Sequence, residues 1–263
     1  MKTILITGAS GFIGNHLLKE IKNNYSKDFR IVLLTSKEIQ GYDCILHDDY
    51  KFTKNDFLNN NVKEVYAIIH LGAFIPKSGS DANLVEQSTS NINNLIYLLK
   101  NIPNTPKVFI YLSTVDVYGK VNEIISESAL TTPQTLYGWS KLYGEKILEH
   151  WAKQNDITIQ ILRIGHIYGS GEESYKKIIP ITIKKIKRGE SPEIYSDGSE
   201  LRSFLHVNDC VKAIINAIKL ETYVGPINVV ANKGYSILEI VVTIKSIINP
   251  EISIVVRNEI SKK

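Results

Sequence analysis

Cysteine is nearly absent. The 263 residues hold only Cys44 and Cys210, far apart and each in apolar surroundings. Two such residues make neither a disulfide framework nor a metal-ligand pattern, so each is read as a small buried hydrophobe and no metal is expected. No stretch approaches the ~20 uninterrupted apolar residues that a bilayer-spanning helix needs, which excludes a membrane span of that kind. No basic-then-apolar leader precedes the first apolar segment, Thr3 to Thr7, and the expected location is the cytoplasm. Long Lys/Arg tracts are missing too. The densest basic cluster, Lys184, Lys185, Lys187 and Arg188, reads as a solvated helix face, so nucleic acid is not an expected partner. Internal repeats and low-complexity segments are absent.

What is there is ordinary for a globular protein: 43% apolar and 22% charged residues. The net charge of +4, from 31 basic and 27 acidic side chains, suits an anionic small molecule without requiring one. Up to about residue 168 short apolar runs alternate with helical patterns. Strands are expected at Ile4–Ile6, Ile31–Leu34, Cys44–Leu46, Val65–Leu71, Val108–Leu112 and Ile157–Ile164. Helices are expected at Phe12–Ile21, Leu84–Leu99 and Leu136–Trp151. Such alternation predicts βαβ units and a parallel sheet covered on both faces. After Gly169 the rhythm changes, and residues 169–263 are read as a small α/β lobe that exchanges segments with the first domain, 1–168. The fold class is therefore α/β, a Rossmann-like doubly wound parallel sheet with a small C-terminal lobe.

Between the first strand and first helix lies Thr7-Gly8-Ala9-Ser10-Gly11-Phe12-Ile13-Gly14. Glycines at 8, 11 and 14 permit a tight turn, close backbone approach to a pyrophosphate and close helix–strand packing. The helix N-terminus adds free N–H groups and the positive end of its dipole. Gly8, Ser10, Gly11, Phe12, Ile13 and Gly14 are thus candidate dinucleotide-binding residues. The second strand ends in Leu34-Thr35-Ser36-Lys37, with no carboxylate before Glu38. A carboxylate there would hold a ribose through its hydroxyls and repel a 2′-phosphate, whereas Ser36 and Lys37 suit that phosphate. NADP is accordingly expected over NAD, with Thr35, Ser36 and Lys37 around its adenosine ribose.

Tyr137 and Lys141 stand four apart on a predicted helix and share one face. A free phenol titrates near ~10, and a neighbouring ammonium stabilises the phenolate and brings that value toward neutrality. Upstream, Ser113 and Thr114 close the strand beginning at Val108. Their hydroxyls lie at the C-terminal end of a parallel strand, where open α/β sheets bind ligands.

The glycine loop resembles that of the extended, nucleotide-sugar branch of the short-chain dehydrogenase/reductase superfamily, the NAD(P)-dependent epimerase/dehydratase family. The resemblance continues through His70-Leu71-Gly72-Ala73, Asn91, Thr114, the Tyr137/Lys141 pair, Leu162 to Gly169 and Asp197 to Asp209. It implies that Leu71, Gly72 and Ala73 line the nicotinamide and that Asp48 or Asp49 approaches the adenine edge. It implies Thr114, Tyr137 and Lys141 as the catalytic set, Lys141 also holding the nicotinamide ribose. Ser113, Thr114, His166 and Arg202 would bind substrate, with Arg202 on its diphosphate. The implied activity is reduction of a 4-keto nucleoside-diphosphate sugar, Tyr137 donating the proton. The alternatives are an NAD-dependent 4-epimerase and a non-catalytic dinucleotide-binding sensor. A homodimer through the helices at 84–99 and 136–151 is also implied. Three departures stand out. His166 replaces the usual asparagine. Val115 and Asp116 occupy the places of the adjacent Asp and Glu of sugar 4,6-dehydratases. The chain is also shorter than most relatives.

Overall fold

A computed structural model describes residues 1–119 and 124–257, so the last six residues of the expected lobe lie outside it. Along the chain come β1 (Lys2–Thr7), α1 (Phe12–Asn24), β2 (Phe29–Thr35), β3 (Asp43–Leu46), α2 (Lys54–Asn59) and β4 (Ala67–His70). Next are α3 (Val85–Asn101), β5 (Val108–Thr114), α4 (Leu136–Asn155), β6 (Thr158–Ile164), β7 (His166–Tyr168) and α5 (Ile178–Lys187). The chain continues with β8 (Glu193–Ile194), β9 (Leu201–Arg202), β10 (Phe204–His206), α6 (Val207–Ala217) and β11 (Ile227–Val229). It closes with β12 (Tyr235–Ser236), α7 (Ile237–Ile248) and β13 (Val255–Val256).

Two compact units result: residues 1–76, 80–164 and 207–229, and residues 77–79, 165–206 and 230 onward. The first is a seven-stranded parallel sheet in the order β11-β6-β5-β4-β1-β2-β3. Its strands are apolar on both faces because both are covered: β4 is buried at all four positions and β5 at all seven. On one face α3 and α4 pack together, and Leu95, Leu98, Leu148 and Ala152 join Ile68, Phe109, Tyr111 and Ile161 in one core. Burying a side chain such as Leu or Phe contributes roughly 1.5–3 kcal/mol, so this face alone carries a large part of the driving force. On the other face α1 packs with α6, turning in Leu17, Leu18 and Ile21 against a helix that buries Cys210, Val211, Ile214 and Ile215. α6 and β11 belong to the first unit. Ile227–Val229 pairs with Leu162–Ile164 and becomes the seventh strand, so these residues extend the main sheet.

The sheet reverses its winding between β1 and β4, which are neighbours although β2 and β3 intervene in sequence. At such a switch point open α/β sheets bind ligands, beyond the C-terminal ends of the strands.

The second unit holds three two-stranded pairs, β7 with β10, β9 with β12 and β8 with β13, and the packed helices α5 and α7. A reciprocal cap starts α7: Glu239 N–H donates to Ser236 Oγ at 3.1 Å and Ser236 N–H donates to Glu239 Oε2 at 2.7 Å.

α4 begins where Thr135 Oγ1 accepts the Gly138 N–H at 3.1 Å. Gly138 then lies so close to the turn after β5 that a Cβ would stand 2.5 Å from the Asp116 carbonyl oxygen. Gly to Ala in a helix ordinarily gains up to ~1 kcal/mol. Here overpacking against a fixed backbone, worth about 1–3 kcal/mol, opposes and exceeds it. Gly138→Ala is expected to lower the free energy of unfolding in a urea titration; a gain would contradict this packing.

Candidate active site

The glycine loop is shaped by close approach. Gly8 has φ +71°, and a Cβ on it would stand 2.5 Å from the Gly72 nitrogen. A side chain at Gly14 would run into the Gly8 carbonyl. The loops after β1 and β4, both singled out from sequence, are therefore packed backbone to backbone. Thr7 fastens them: its Oγ1 accepts the Gly72 N–H at 3.0 Å and pairs with His70 Nδ1 at 2.8 Å. Burial holds the His70 imidazole down at about 3, with the Lys141 charge adding to the effect, so the ring is neutral.

α1 starts at Phe12 behind Gly11, with no side-chain cap and no acidic residue in its first turn. Its N–H groups and dipole are left for an anion. The cradle fits a dinucleotide pyrophosphate: glycines where side chains would intrude, an uncapped helix end, and a position at the switch point. Ser10 is exposed beside it, and Phe12 and Ile13 are half-buried. Leu71, Gly72 and Ala73 line the adjoining loop. Asn91 of α3 fixes its continuation, accepting the Phe74 N–H at 2.7 Å and donating to Phe74 O at 3.3 Å. It also donates to Ser140 Oγ at 3.2 Å, tying the loop to α4.

The phosphate reading of Thr35-Ser36-Lys37 does not hold. Thr35 closes its own turn, its Oγ1 donating to the Lys37 carbonyl at 3.0 Å and accepting the Lys37 N–H at 3.4 Å. Ser36 and Lys37 stand exposed, with no gathered set of donors that a 2′-phosphate would need.

Side chains two apart on β5 share a face. Tyr111 and Ser113 turn to α4, Thr114 away from it. Thr114 Oγ1 accepts the Asp116 N–H at 3.2 Å, which leaves its proton to donate. Ser113 departs from its expected role at the substrate. Its hydroxyl donates to Glu145 Oε1 at 2.5 Å, buried under α4.

Tyr137 and Lys141 lie on the sheet-facing side of α4, 7% and 3% exposed. Lys141 Nζ sits 4.4 Å over the Tyr111 ring, and Tyr111 stacks with His70, its register partner on β4, centroids 5.9 Å apart and 11° from parallel. The Tyr137 and Glu145 charges add to burial in pushing the Tyr111 phenol up. Burial lowers the Lys141 ammonium to about 7, against the pull of Glu145. A buried fork escaped the sequence: Arg163 of β6 donates to Glu145 Oε1 from Nε at 3.0 Å and to Oε2 from Nη2 at 2.7 Å. The available signals were Glu145 one turn beyond Lys141 and a lone arginine in an apolar strand.

In the second unit the two expected substrate residues meet. Arg202 Nη1 lies 3.1 Å from His166 Nε2, and Nη2 donates to Glu200 Oε2 at 3.2 Å. Burial lowers His166 to about 4, with Arg202 and Lys177 contributing, so the imidazole is neutral and accepts from the guanidinium. Among the described residues no group of three or more His, Cys, Asp or Glu could hold a metal, and no helix is long and apolar enough to cross a membrane.

The model of the NAD dependent epimerase/dehydratase family matches residues 4–229. A dTDP-D-glucose 4,6-dehydratase of Dictyostelium discoideum is 28% identical over 238 residues, 81% of this chain, and the chain spans about half of that relative, 54%. The structure of a Bacillus cereus UDP-glucuronic acid 4-epimerase, in complex with UDP-glucuronic acid and NAD, superposes with a TM-score of 0.81 at 25% identity. The match covers 97% of this chain and 85% of that one. MoeE5, in complex with UDP-glucose and NAD, gives 0.81 at 26% identity over 97% and 84%. Both structures hold NAD, which overturns the expectation of NADP and agrees with the self-contained turn at Thr35.

The buried lysine predicts a pH signature. Its ammonium titrates near 7 in the fold and near ~10.4 in an unfolded chain. Below pH 7 both states are charged, and the cost of burying the charge is fully present. As pH rises from 7 towards ~10.4 the unfolded chain binds a proton that the fold does not, and stability increases. Lys141→Met removes the charge. It is expected to be more stable than wild type at pH 6, by on the order of 4 kcal/mol, with the advantage fading by pH 10. Parallel denaturant titrations at the two pH values check this, and a pH-independent difference would refute it.

Proposed function

The chain belongs to the NAD dependent epimerase/dehydratase family, and from that premise we propose that it is an NAD-dependent oxidoreductase acting as a nucleotide-sugar 4-epimerase. The observation that carries the reading is the Tyr137/Lys141 pair, buried on the sheet-facing side of α4 in the same unit as a glycine cradle kept clear of side chains. The Gly8–Gly14 amides and the α1 N-terminus would hold the pyrophosphate, with Leu71–Ala73 beside the nicotinamide and Thr35–Lys37 beside the adenosine ribose. NAD, when bound, would supply reversible hydride transfer at the sugar C4.

Tyr137 accepts the proton of the C4 hydroxyl and later returns it, which places it as base and then acid. Thr114 keeps a free hydroxyl proton and orients the C4 oxygen, stabilising negative charge as it develops there. Lys141 stabilises the phenolate and holds the nicotinamide ribose. Arg202, whose guanidinium donates to the neutral His166, has the fork geometry that suits a diphosphate. Elimination is disfavoured because Val115 and Asp116 replace the adjacent Asp and Glu of the 4,6-dehydratases. A reductase of 4-keto nucleotide sugars, the first expectation, would use the same residues. It would consume a reduced cofactor in each turnover, whereas an epimerase consumes none.

The test is NMR of products from a panel of UDP- and dTDP-sugars incubated with the protein and NAD. C4 epimers are expected without net change in NADH absorbance; stoichiometric NADH consumption in a parallel incubation with NADH and a 4-keto nucleotide sugar would instead establish the reductase. Tyr137→Phe is expected to lose about 10²–10⁴-fold in turnover while still binding NAD. Full turnover in that variant would end the assignment.

Homodimerisation is proposed through α3 and α4. Leu136, Trp139 and Tyr143 form an exposed apolar stripe on α4, Trp139 53% and Tyr143 54% exposed, and Val85 stands exposed at the start of α3. Trp139→Glu should convert a particle of two chains to one by light scattering, and a wild-type monomer would exclude this mode of pairing.

A further inference from the structure

Three charges lie buried along one line beneath α4: Lys141, Glu145 and Arg163, each 3% exposed or less. A charge removed from water costs several kcal/mol unless it is paired and hydrogen-bonded. Arg163 and Glu145 meet that condition. The guanidinium grips both carboxylate oxygens, and Ser113 adds a third donor. Arg163 Nη1 donates to the Tyr118 hydroxyl at 2.7 Å, and Tyr118 in turn donates to Asn228 Oδ1 at 2.8 Å. Residues from β5, β6 and β11 and from the turn after β5 thus fix where the carboxylate stands.

Lys141 is held differently. No direct ion pair reaches it among the described residues; its Nζ lies over the Tyr111 ring instead. The groups packed about it can be named element by element. β4 presents His70, which is neutral, and β5 presents Tyr111. α3 turns the uncharged Asn91 to α4, and the turn after β5 carries Asp116 on its exposed side. On α4 itself stand Tyr137, four residues before, and Glu145, four residues after. Of these buried groups Glu145 brings the negative charge, one helical turn from the ammonium.

We propose that Glu145 is a positioning residue for the acid/base pair: clamped by Ser113 and the Arg163 fork, its carboxylate is the buried counter-charge that keeps the Lys141 side chain an ammonium. Its bearing on catalysis rests on the proposed role of Tyr137 and Lys141, but its effect on Lys141 can be measured without any turnover. The clamp serves this purpose in two ways. It fixes the Glu145 carboxylate at zero exposure, and it occupies both carboxylate oxygens with donors other than Lys141. Burial opposes the charge on Lys141 and Glu145 supports it, which leaves the lysine near neutrality.

The experiment is a titration of the apo protein, full chain, carrying lysine labelled with ¹³C at Cε, from pH 5 to pH 10 by NMR. Lys141→Met identifies the resonance. Wild type is expected to give a midpoint near 7. Glu145→Gln removes the negative charge that supports the ammonium. Its midpoint is expected about one pH unit lower, tenfold in proton concentration. Ser113→Ala keeps both charges and is expected to titrate close to wild type. Where Glu145→Gln does not fold, the double variant Glu145→Met, Arg163→Met replaces the pair by apolar side chains, a change that buried pairs tolerate. Its midpoint is expected to fall as well, because Glu145 and not Arg163 acts on Lys141. An unmoved midpoint in the folded variant overturns the proposal. Turnover adds a second readout: in Glu145→Gln the pH profile of kcat should shift with the lysine midpoint while KM changes little. A moved midpoint in a protein that turns over no nucleotide sugar supports the role of Glu145 and refutes the epimerase reading.

Discussion

Where α4 meets β5 and the turn after it, two positions on the helix leave no room for a side chain. Gly144 faces the Tyr111 phenol so closely that a Cβ would overlap its oxygen, and Gly138 does the same against the Asp116 carbonyl. The helix can therefore lie down on the strand with its polar residues on the inside. Lys141 reaches the Tyr111 ring, Glu145 reaches Ser113, and Tyr137 is drawn beneath the surface. A helix held one side-chain layer further out would leave Lys141 in water, where its ammonium would keep an ordinary affinity for its proton. Close packing and the electrostatics of the site are thus one feature, set by two small residues in an otherwise amphipathic helix.

The parallel sheet supplies the second half of the arrangement. Because β1 and β4 are neighbours, the loops that follow them meet, and Gly8 and Gly72 are the residues at the contact. Thr7 binds that contact to His70, and His70 stacks on the Tyr111 that carries Lys141. An unbroken set of neighbours therefore runs from the glycine cradle to the lysine through fully buried side chains. Along it the imidazole stays neutral, which spares the lysine a second positive charge in a region of low dielectric.

Much of this was legible in the sequence because it rests on local signals. The alternation of apolar strands and helical periodicities gave every strand of the main sheet except the identity of its seventh. Ile227–Val230 reads as a strand, but its pairing with β6, between partners 65 positions apart in the chain, leaves no local trace. The glycine loop and the Tyr137/Lys141 spacing are likewise local. Ser113 and Glu145 show where local reading stops. A serine at a strand end is indistinguishable from a ligand-binding one until α4 is placed over it, and Glu145 looks like any helix-face carboxylate until Arg163 arrives from another strand. Lys37 failed for the complementary reason. A basic residue at the end of β2 suits a phosphate only if its neighbours turn donors the same way, and the Thr35 hydroxyl is spent on the turn's own backbone. His166 and Arg202, thirty-six residues apart, were named separately from a resemblance, and the pairing of β7 with β10 and the position of β9 bring them to 3.1 Å.

The protonation states favour chemistry that runs both ways. In a 4-epimerase the same tyrosine must take a proton and give it back within one cycle, so neither its phenol nor its phenolate can be strongly preferred. A lysine titrating at an ordinary value would hold a permanent charge beside Tyr137 and favour the phenolate alone. A lysine that burial had neutralised completely would favour the phenol alone. The fold opposes burial to a clamped carboxylate and leaves Lys141 at about 7, between those extremes. General acid–base transfer is most effective when the group's affinity for its proton lies near the working pH. On the proposed reading the fork beneath α4 bears on that balance, a role distinct from net stability, to which a buried ion pair need add little.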